Sequence, residues 1–340
     1  MRIWVGIVAI FFCGQVAHAG TAVSAYLKKD QGWFGGREAE KILENVLSHQ
    51  ARTGGWPKNT DTAGSRYRGK EEDLKATFDN GATTDELRFL ARVYGVTKND
   101  EALRGFEKGL KYVLGAQYDN GGWPQFDPPG KGYHRHITYN DGSMVRIMEL
   151  LREVATKKVF DFVDEGERAM CVWAFEQGVA CILNCQVRVD GKLTAWCAQH
   201  DEVDFQPRPA RSYELVSLSG SESVGILRLL MSLENPSPEV RAAIEGAVAW
   251  FEGARIKGIR VEEIDGDKVV LKDAKAPGLW ARFYDVKTNK PMFCDRDGVV
   301  KESLKEIGHE RRNGYAWYGS WAEKLLEKEY PSWKERVGEE

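Results

Sequence analysis

Two stretches of the sequence share one pattern: Gln50–Pro57 reads QARTGGWP and Gln117–Pro124 reads QYDNGGWP. In both stretches a glutamine is followed six residues later by a tryptophan. Gln186 leads in a similar way to Trp196 through VRVDGKLTAW, and the three glutamines lie 67 and 69 residues apart. The chain therefore contains a repeated unit of about 70 residues.

Each glutamine ends a segment whose apolar residues have helical spacing, and each loop is followed by a second such segment. The first segments are ILENVLSHQ (42–50), FEKGLKYVLGAQ (106–117) and AFEQGVACILNCQ (174–186). The second segments are TDELRFLARVY (84–94), GSMVRIMELLREV (142–154) and SESVGILRLLMSL (221–233). The repeated unit is thus predicted to be a helix, a loop rich in glycine and tryptophan, and a helix.

This period predicts paired helices arranged around a ring, because it is too long for tetratricopeptide or armadillo repeats. We expect an all-α fold, an incomplete α/α toroid with its loops gathered at one end. Residues 313–330 are predicted to supply the helix of a last, divergent unit. Residues 257–273 resemble a minor β-hairpin that turns at DGD (265–267). No long linker interrupts the chain, so we expect one domain over 20–340 with its core at about 25–335.

The chain begins with features typical of a signal peptide. A basic residue precedes an apolar run of 11 residues (3–13), and AHA (17–19) is a small-x-small cleavage site. The run is too short for a membrane anchor, which needs about 20 residues. We therefore expect cleavage near Ala19 and a secreted protein, extracellular or periplasmic.

Composition limits the partners of the mature chain. The formal net charge of −3 over 340 residues excludes the basic surface that binds nucleic acid non-specifically. We expect the protein to be a monomer. Five cysteines follow the signal segment, an odd number without the dense spacing of a disulfide scaffold. We expect them to be buried as small apolar residues, with at most one disulfide.

Two similar acidic clusters precede the second helices of the first two units. They read TFDNG (77–81) and TYNDG (138–142). Asp79 and Asp141 offer the hard oxygen ligands that Ca²⁺ prefers, and a site built from separate repeats is expected because no EF-hand loop is present. The alternative is that both aspartates cap the helices that follow.

Six arginines lie in segments rich in Pro, Gly, Tyr and Trp: Arg208, Arg211, Arg282, Arg296, Arg311 and Arg312. The planar guanidinium is suited to gripping carboxylates, which indicates an acidic ligand. The alternative is that these arginines pair with nearby acids such as Glu214, Asp285 and Asp297.

Several blocks of the sequence together resemble the family 10 polysaccharide lyases, which are pectate lyases. They are GGWPKN (54–59), GGWPQF (121–126), WCAQHD (196–201), SLSGSES (217–223), and RFY (282–284) with DRDG (295–298). The resemblance spans nearly the whole mature chain. It implies a partly closed α/α toroid and cleavage of α-1,4-linked polygalacturonate by calcium-assisted β-elimination, which gives 4,5-unsaturated oligogalacturonides.

The resemblance also implies roles for individual residues. Asp141 resembles the calcium-binding aspartate, and Asp79 with Asn80 resembles the neighbouring calcium- and substrate-site pair. Arg211 resembles the arginine that abstracts the C5 proton. Crowding by calcium and other arginines is expected to lower its pKa.

Further residues lie in the matching blocks. Arg282 and Arg296 resemble arginines that hold uronate carboxylates. Lys58, His200 and Tyr315 are expected at the substrate without an assigned role. Gly142 departs from the family pattern, in which a larger polar residue is common, and this puts one ligand or water contact in doubt.

Two other functions are compatible with the same residues. An inverting glycoside hydrolase would use two carboxylates and a water, with candidates among Asp79, Asp141, Asp201 and Glu222. A non-catalytic pectin-binding protein would keep the aromatic and arginine platforms without turnover. The product separates these functions, because only elimination creates an ultraviolet-absorbing double bond.

Overall fold

The computed structural model describes residues 21–338. Its seven longest helices are α1 (Arg37–Ser48), α2 (Thr84–Thr97), α3 (Asp100–Gly115), α4 (Ser143–Thr156), α5 (Glu165–Cys185), α6 (Glu222–Met231) and α7 (Pro238–Gly253). Short 3-10 turns include Ala22–Lys28, Gln31–Gly35, Glu71–Asp73, Asp79–Gly81, Tyr133–Arg135, Asn140–Gly142, Lys158–Phe160 and Leu304–Glu306. Each of the six segments predicted as helical matches one of these helices and extends at most two residues beyond its end.

The long helices form two layers. Helices α2, α4 and α6 contact one another in series and form the inner layer, while α1, α3, α5 and α7 contact one another in series outside them. The inner helices are buried around most of their circumference, as expected for helices packed on several sides. This arrangement confirms the predicted all-α, incomplete α/α toroid.

The repeated glutamines tie each loop to the next outer helix. Gln50 Nε2 donates to Gly54 O at 2.7 Å and to Gly105 O, in α3, at 2.8 Å. Gln117 Nε2 bonds Gly121 O at 3.0 Å and Ala174 O at 2.8 Å, and Gln186 Nε2 bonds Thr194 O and Ala243 O, both at 2.8 Å. One primary amide satisfies two buried carbonyl groups in each unit, which explains why the residue recurs.

The repeated tryptophans anchor the loops to the preceding outer helices. Each is buried, and its indole N–H donates to a carbonyl near the end of the preceding outer helix: Trp56 to Val46, Trp123 to Val113, Trp196 to Ile182 and Trp280 to Phe251, at 2.7–2.9 Å. Trp280 is therefore the tryptophan of a fourth unit. This unit was not recognised in the sequence, because the hairpin lies between α7 and Trp280.

Glycine precedes two of these tryptophans for a steric reason. Gly54 (φ 116°) and Gly121 (φ 88°) adopt backbone conformations that L side chains rarely adopt. A Cβ at Gly54 would lie 2.4 Å from Lys108 O, and one at Gly121 would lie 2.1 Å from Gln177 O. The loops thus rest directly on the backbone of α3 and α5.

The predicted hairpin is present as strands Ile259–Ile264 and Asp267–Lys272. The carboxylate of Asp267 accepts from Arg312 Nε at 2.7 Å and NH2 at 2.6 Å, and Lys268 Nζ donates to Tyr315 O at 3.0 Å. The hairpin therefore supports the segment that carries Tyr315. The remaining strands have two residues each: Ile137–Thr138, Arg188–Val189, Lys192–Leu193, Gln199–His200, Pro207–Arg208, Leu218–Ser219, Trp280–Ala281, Phe283–Tyr284, Phe293–Cys294, Val300–Lys301 and Tyr318–Gly319.

The helix predicted over 313–330 is wrong in its first half. After the short helix α8 (His309–Asn313), Tyr318–Gly319 pairs as a strand with Trp280–Ala281. A π-helical turn, Leu325–Glu329, then leads into α9 (Tyr330–Val337). Tertiary contacts favour the strand over the predicted helix, because Tyr315 and Trp317 pack in a second small hydrophobic core at the loop end.

The predicted signal peptide, residues 1–19, lies outside the described residues. Between residues 21 and 338, no helix is long and apolar enough to cross a membrane. The five cysteines expected to be buried are buried and free: Cys171, Cys181, Cys185, Cys197 and Cys294.

Candidate active site

The loops of successive units join at one end of the toroid. One backbone hydrogen bond runs from each turn before an inner helix to the loop of the next unit: Phe78 N–H to Gln125 O at 2.9 Å, Tyr139 N–H to Ala198 O at 2.9 Å and Gly220 N–H to Arg282 O at 3.0 Å. These bonds bring the two acidic clusters and the arginines together in one cleft.

The two acidic clusters form matching 3-10 turns, Asp79–Gly81 and Asn140–Gly142, which pack against each other. The second residue of each turn is left-handed, Asn80 at φ 55° and Asp141 at φ 52°, a conformation that Asn and Asp tolerate better than most residues. Asp79 is thus the structural equivalent of Asn140, so the two aspartates occupy different turn positions. The N-caps of α2 and α4 are Thr83 and Gly142, and the capping alternative is therefore wrong.

Two repeat-equivalent residues bind the carboxylate of Asp79. Lys58 forms an ion pair with Asp79 Oδ2, and Gln125 Nε2 donates to the same oxygen at 2.6 Å. Lys58 and Gln125 each follow a Trp-Pro pair, in GGWPKN and GGWPQF. Sequence reasoning missed Gln125, although its place in the repeat was a usable signal. The other oxygen, Asp79 Oδ1, is buried without a hydrogen-bond partner among the described residues.

Arg282 links Asp141 to a buried acid. Its NH2 group lies 2.5 Å from Glu222 Oε1 and 3.5 Å from Asp141 Oδ1. Burial alone would lower the pKa of Arg282, but the negative charges of Glu222 and Asp141 and the Tyr315 hydroxyl outweigh it and raise the pKa. Arg282 is therefore a fixed cation, and its partners are Glu222 and Asp141 rather than Asp285.

Arg211 forms a two-pronged ion pair with Glu214, as the pairing alternative predicted. Nε and NH2 lie 2.7 and 2.5 Å from the two carboxylate oxygens, and Tyr315 Oη donates to Glu214 Oε1 at 2.7 Å. The hydrogen bonds that Arg211 donates to Glu214 raise the pKa of Arg211 despite partial burial. The charge nearest to Arg211 is thus a carboxylate, and the lowering of its pKa by calcium and other arginines stays a prediction for the calcium-bound site.

Guanidinium groups and phenol rings alternate along the cleft. We name Arg282, Tyr315, Arg211, Tyr213, Arg296 and Arg311 the arginine–tyrosine stack. Arg282 lies 4.7 Å and Arg211 5.9 Å from the Tyr315 ring centre. Arg211, Arg296 and Arg311 lie 4.9, 5.6 and 4.6 Å from the Tyr213 ring centre. Tyr213 thus joins four of the six predicted arginines, Arg211, Arg282, Arg296 and Arg311, in one continuous structure.

The hydroxyl of Tyr133 lies within electrostatic range of both the stack and the acidic turns. Burial raises the pKa of its hydroxyl, and the charges of Glu214 and Asp79 raise it further while those of Arg211 and Lys58 oppose them. The charges of both the Arg211–Glu214 pair and the Lys58–Asp79 pair therefore act on Tyr133. The sequence analysis missed this residue, because its loop, Tyr133–Arg135, lies outside the recurring motifs.

His200 and Arg208 lie in a supporting sheet instead. His200 is fully buried, with its Nε2 accepting from Cys197 N–H at 3.0 Å and its Nδ1 2.7 Å from Phe205 O. Both ring nitrogens are used, so His200 holds its loop and presents no free nitrogen to the cleft. Arg208 pairs with Asp201, which removes Asp201 from the acids available for hydrolysis.

The donor set of the acidic turns fits a calcium ion. Carboxylate and amide oxygens of Asp79, Asn80 and Asp141 lie on two turns in contact, and the unpartnered Asp79 Oδ1 offers a buried ligand atom. Glu222, by contrast, is completely buried and bound by Arg282 and Ser219. It therefore acts as a counter-charge and is not free to activate a water.

Comparison with known proteins shows the family to which the chain belongs. A family model described as pectic acid lyase matches residues 50–326. Two solved structures of a family 10 polysaccharide lyase from Cellvibrio cellulosa superpose with a TM-score of 0.80 each. One, an aspartate-to-alanine mutant in complex with trigalacturonic acid, is 33% identical and covers 94% of this chain and 99% of its own. The other is 34% identical and covers 93% and 96%. None of the curated proteins matches the chain.

The helical toroid is thus that of a polysaccharide lyase. The chain belongs to the pectic acid lyase family, whose model spans most of its length. The enzyme class predicted from the sequence, pectate lyase, is confirmed.

Proposed function

We propose that this pectate lyase cleaves α-1,4-linked polygalacturonate by calcium-assisted β-elimination, with Arg211 as the base. The observation that carries the proposal is the position of Arg211. It is half-exposed in the arginine–tyrosine stack, next to the fixed cation Arg282, in the cleft that also holds Asp79 and Asp141. A polyanion can reach this group of cations, and each sugar carries one carboxylate.

Asp79 and Asp141 would hold the calcium ion, with Asn80 beside them. When bound, calcium would supply positive charge that stabilises the carboxylate of the reacting sugar. Lys58 already pairs with Asp79 and would keep the turn in place. Gly142, a departure from the family pattern, ends the turn that carries Asp141 and offers no side-chain ligand.

The arginines stabilise the charge that develops in the reaction. Removal of the C5 proton delocalises negative charge onto the neighbouring carboxylate, and a fixed cation placed there lowers the barrier. Arg282 is buried and its guanidinium is held in place by Glu222. Little conformational entropy is therefore lost when it binds the substrate carboxylate. Arg296 would hold a second carboxylate at the outer end of the stack, and Tyr315 orients both Arg282 and Arg211.

Arg211 must part from Glu214 and lose a proton to solvent before it can act as a base. The C5 proton then passes to the neutral guanidine and the C5–H electron pair forms the C4–C5 double bond. The C4–oxygen bond breaks with its electrons going to the departing oxygen, which takes up a proton from solvent. Glu214 is buried and also bound by Tyr315, so it keeps a hydrogen-bond partner when Arg211 moves. No water is consumed, which separates the reaction from hydrolysis.

We further propose that the enzyme is secreted as a monomer after cleavage near Ala19, with residues 20–340 as one catalytic domain. The sequence features of residues 1–19 support this proposal. Mass spectrometry of the protein from its native envelope would give the mature N-terminus. Light scattering would give the oligomeric state.

Near-ultraviolet absorbance with polygalacturonate tests the reaction. We expect a rise with calcium that is lost with chelator and in Arg211→Ala. Arg208→Ala is the matched control, because Arg208 is a half-exposed, acid-paired arginine of the same segment outside the stack. New reducing ends without absorbance would instead indicate a hydrolase, and tight binding without either product would indicate a pectin-binding protein.

A further inference from the structure

The segment before α1 is joined to the start of α2 by a buried acid. Its two 3-10 turns, Ala22–Lys28 and Gln31–Gly35, both pack on α2. Thr21, which precedes the first turn, donates to Asp85 Oδ2 from its backbone N–H at 3.3 Å and from its Oγ1 at 3.1 Å. The whole segment precedes residue 50, where the match to the family model begins.

The Asp85 carboxylate lies next to the first acidic turn. A Cβ at Gly81, the last residue of that turn, would lie 2.8 Å from Asp85 Oδ2 and 3.2 Å from Arg146 NH1. The backbone of Gly81 is left-handed (φ 84°), and with no side chain there the two charged groups lie against the turn itself. Asp85 and Arg146 hold equivalent places in the first two units, each six residues after the first residue of its turn, Asp79 or Asn140.

These two charges act on a bound cation in opposite directions. The guanidinium of Arg146 repels a cation held by the turn, and the carboxylate of Asp85 offsets that repulsion. Arg146 Nε is buried without a hydrogen-bond partner among the described residues, so the charge of this guanidinium is incompletely compensated. Asp85 is only 4% exposed, and solvent therefore screens its charge weakly.

The Asp85 side chain is held from two sides. Thr21 binds Oδ2, while Arg88 NH1 lies 3.7 Å from Oδ1 and Arg88 Nε donates to Glu153 in α4 at 2.7 Å. An acid in the first turn of a helix commonly stabilises the helix dipole. The hydrogen bonds from Thr21 go beyond that role, because they join the carboxylate to a segment 64 residues earlier in the sequence.

We propose that Thr21 and Asp85 are positioning residues for the calcium turn. Thr21 holds the Asp85 carboxylate next to Gly81, where its charge offsets that of Arg146 and favours a cation in the turn. Neither residue is a calcium ligand. The segment before α1 thus sets the calcium affinity from outside the cleft. The inference rests on the proposed calcium site of the two acidic turns.

Isothermal titration calorimetry with calcium alone tests this role. We expect Asp85→Asn to raise the Kd of calcium about tenfold, because a neutral amide no longer offsets Arg146. Thr21→Val should raise it about threefold, because only the backbone donor remains, and Thr21→Ser should keep the wild-type Kd. Thr97→Val is the matched control, since it removes a hydroxyl that donates to Val93 O at 2.8 Å at the far end of α2.

The increase in Kd caused by Asp85→Asn should shrink when Arg146→Gln is already present, because the repelling charge is then absent. A merely structural role of Asp85 would not depend on that charge, so an equal increase in both backgrounds would overturn the proposal. A wild-type Kd in Asp85→Asn, or equal losses in Thr21→Val and Thr97→Val, would also overturn it. Failure of the wild-type protein to bind calcium, or unchanged binding in Asp79→Asn, would instead contradict the proposed calcium site.

Discussion

Both carboxylate oxygens of Glu214 bind the guanidinium of Arg211, at 2.7 Å from Nε and 2.5 Å from NH2. Glu214 is buried while Arg211 is half-exposed, so the acid is the fixed member of the pair. This contact raises the pKa of Arg211. Glu214 therefore orients the proposed base and at the same time opposes its deprotonation.

Glu214→Gln should shift the pH dependence of elimination to lower pH. The neutral amide no longer raises the pKa of Arg211, so the neutral guanidine becomes accessible at lower pH and the rising limb of kcat/KM moves with it. Steady-state rates across the neutral and alkaline range measure the shift. Asp201→Asn, which removes the carboxylate paired with Arg208, should leave the limb in place. An unmoved limb in Glu214→Gln would mean that Arg211 is not the base.

Asp79→Asn and Asp141→Asn should each raise the calcium concentration needed for half-maximal activity by at least about tenfold, because a carboxylate ligand is replaced by a neutral amide. Calcium titration of the absorbance assay measures this change. Asp164→Asn is the control, since Asp164 caps α5 and asparagine caps equally well. Wild-type calcium dependence in both cleft variants would exclude these turns as the metal site.

The repeat could be predicted because its cause is local and recurs. Gln50 and its equivalents each satisfy the same two carbonyl groups, so the same residue returns at the same place. That periodicity was enough to predict the order of helices and the end of the toroid that carries the site. The position of Gln125 beside Asp79 could also have been predicted, because Gln125 follows a Trp-Pro pair as Lys58 does.

The local Arg211–Glu214 pair was among the predicted alternatives, but ion pairs between distant parts of the sequence could not be predicted in the same way. The partner of Arg282 is Glu222, 60 residues away in sequence, rather than its neighbour Asp285. Such a pair depends on how the loops of different units meet, which no local pattern records. The burial of His200 also depends on how its loop folds. The sequence around it resembles the family, but both of its ring nitrogens bind the loop backbone, at Cys197 and Phe205.

A buried acid in α2 predicts loss of stability at alkaline pH. Burial, with the charge of Asp85, raises the pKa of Glu86 from 4.5 to about 8. Thr62 donates to one of its oxygens at 2.9 Å, and the other has no hydrogen-bond partner among the described residues. The folded protein thus holds a proton that the unfolded chain releases. The stabilisation is complete below pH 4.5 and is lost as the pH rises through about 8.

Glu86→Gln should therefore resist alkaline unfolding better than the wild type. The amide imitates the protonated acid, so the free energy of unfolding should gain up to about 5 kcal/mol at pH values above the folded pKa. Urea unfolding at pH values from 4.5 up to the alkaline range measures the difference. Glu101→Gln, at an exposed position in α3, should keep the wild-type dependence. Equal alkaline losses in Glu86→Gln and wild type would show that Glu86 does not carry the effect.

His200 predicts the opposite dependence in acid. Burial lowers its pKa from 6.5 to about 4, so the unfolded chain binds a proton that the folded protein does not. The stabilisation is present above pH 6.5 and is lost as the pH falls through about 4, a change of about 3 kcal/mol.

His200→Gln should flatten this dependence, because glutamine does not titrate and its amide can still accept from Cys197 N–H and donate to Phe205 O. The free energy of unfolding, measured by urea at neutral pH and between pH 6.5 and 4, should fall less in the variant than in the wild type. His309→Gln, at an exposed position, should retain the wild-type slope. An unchanged slope in His200→Gln would assign the acid sensitivity to other groups. A flattened slope together with wild-type elimination at neutral pH would establish His200 as a structural residue of this cleft, outside the reaction itself.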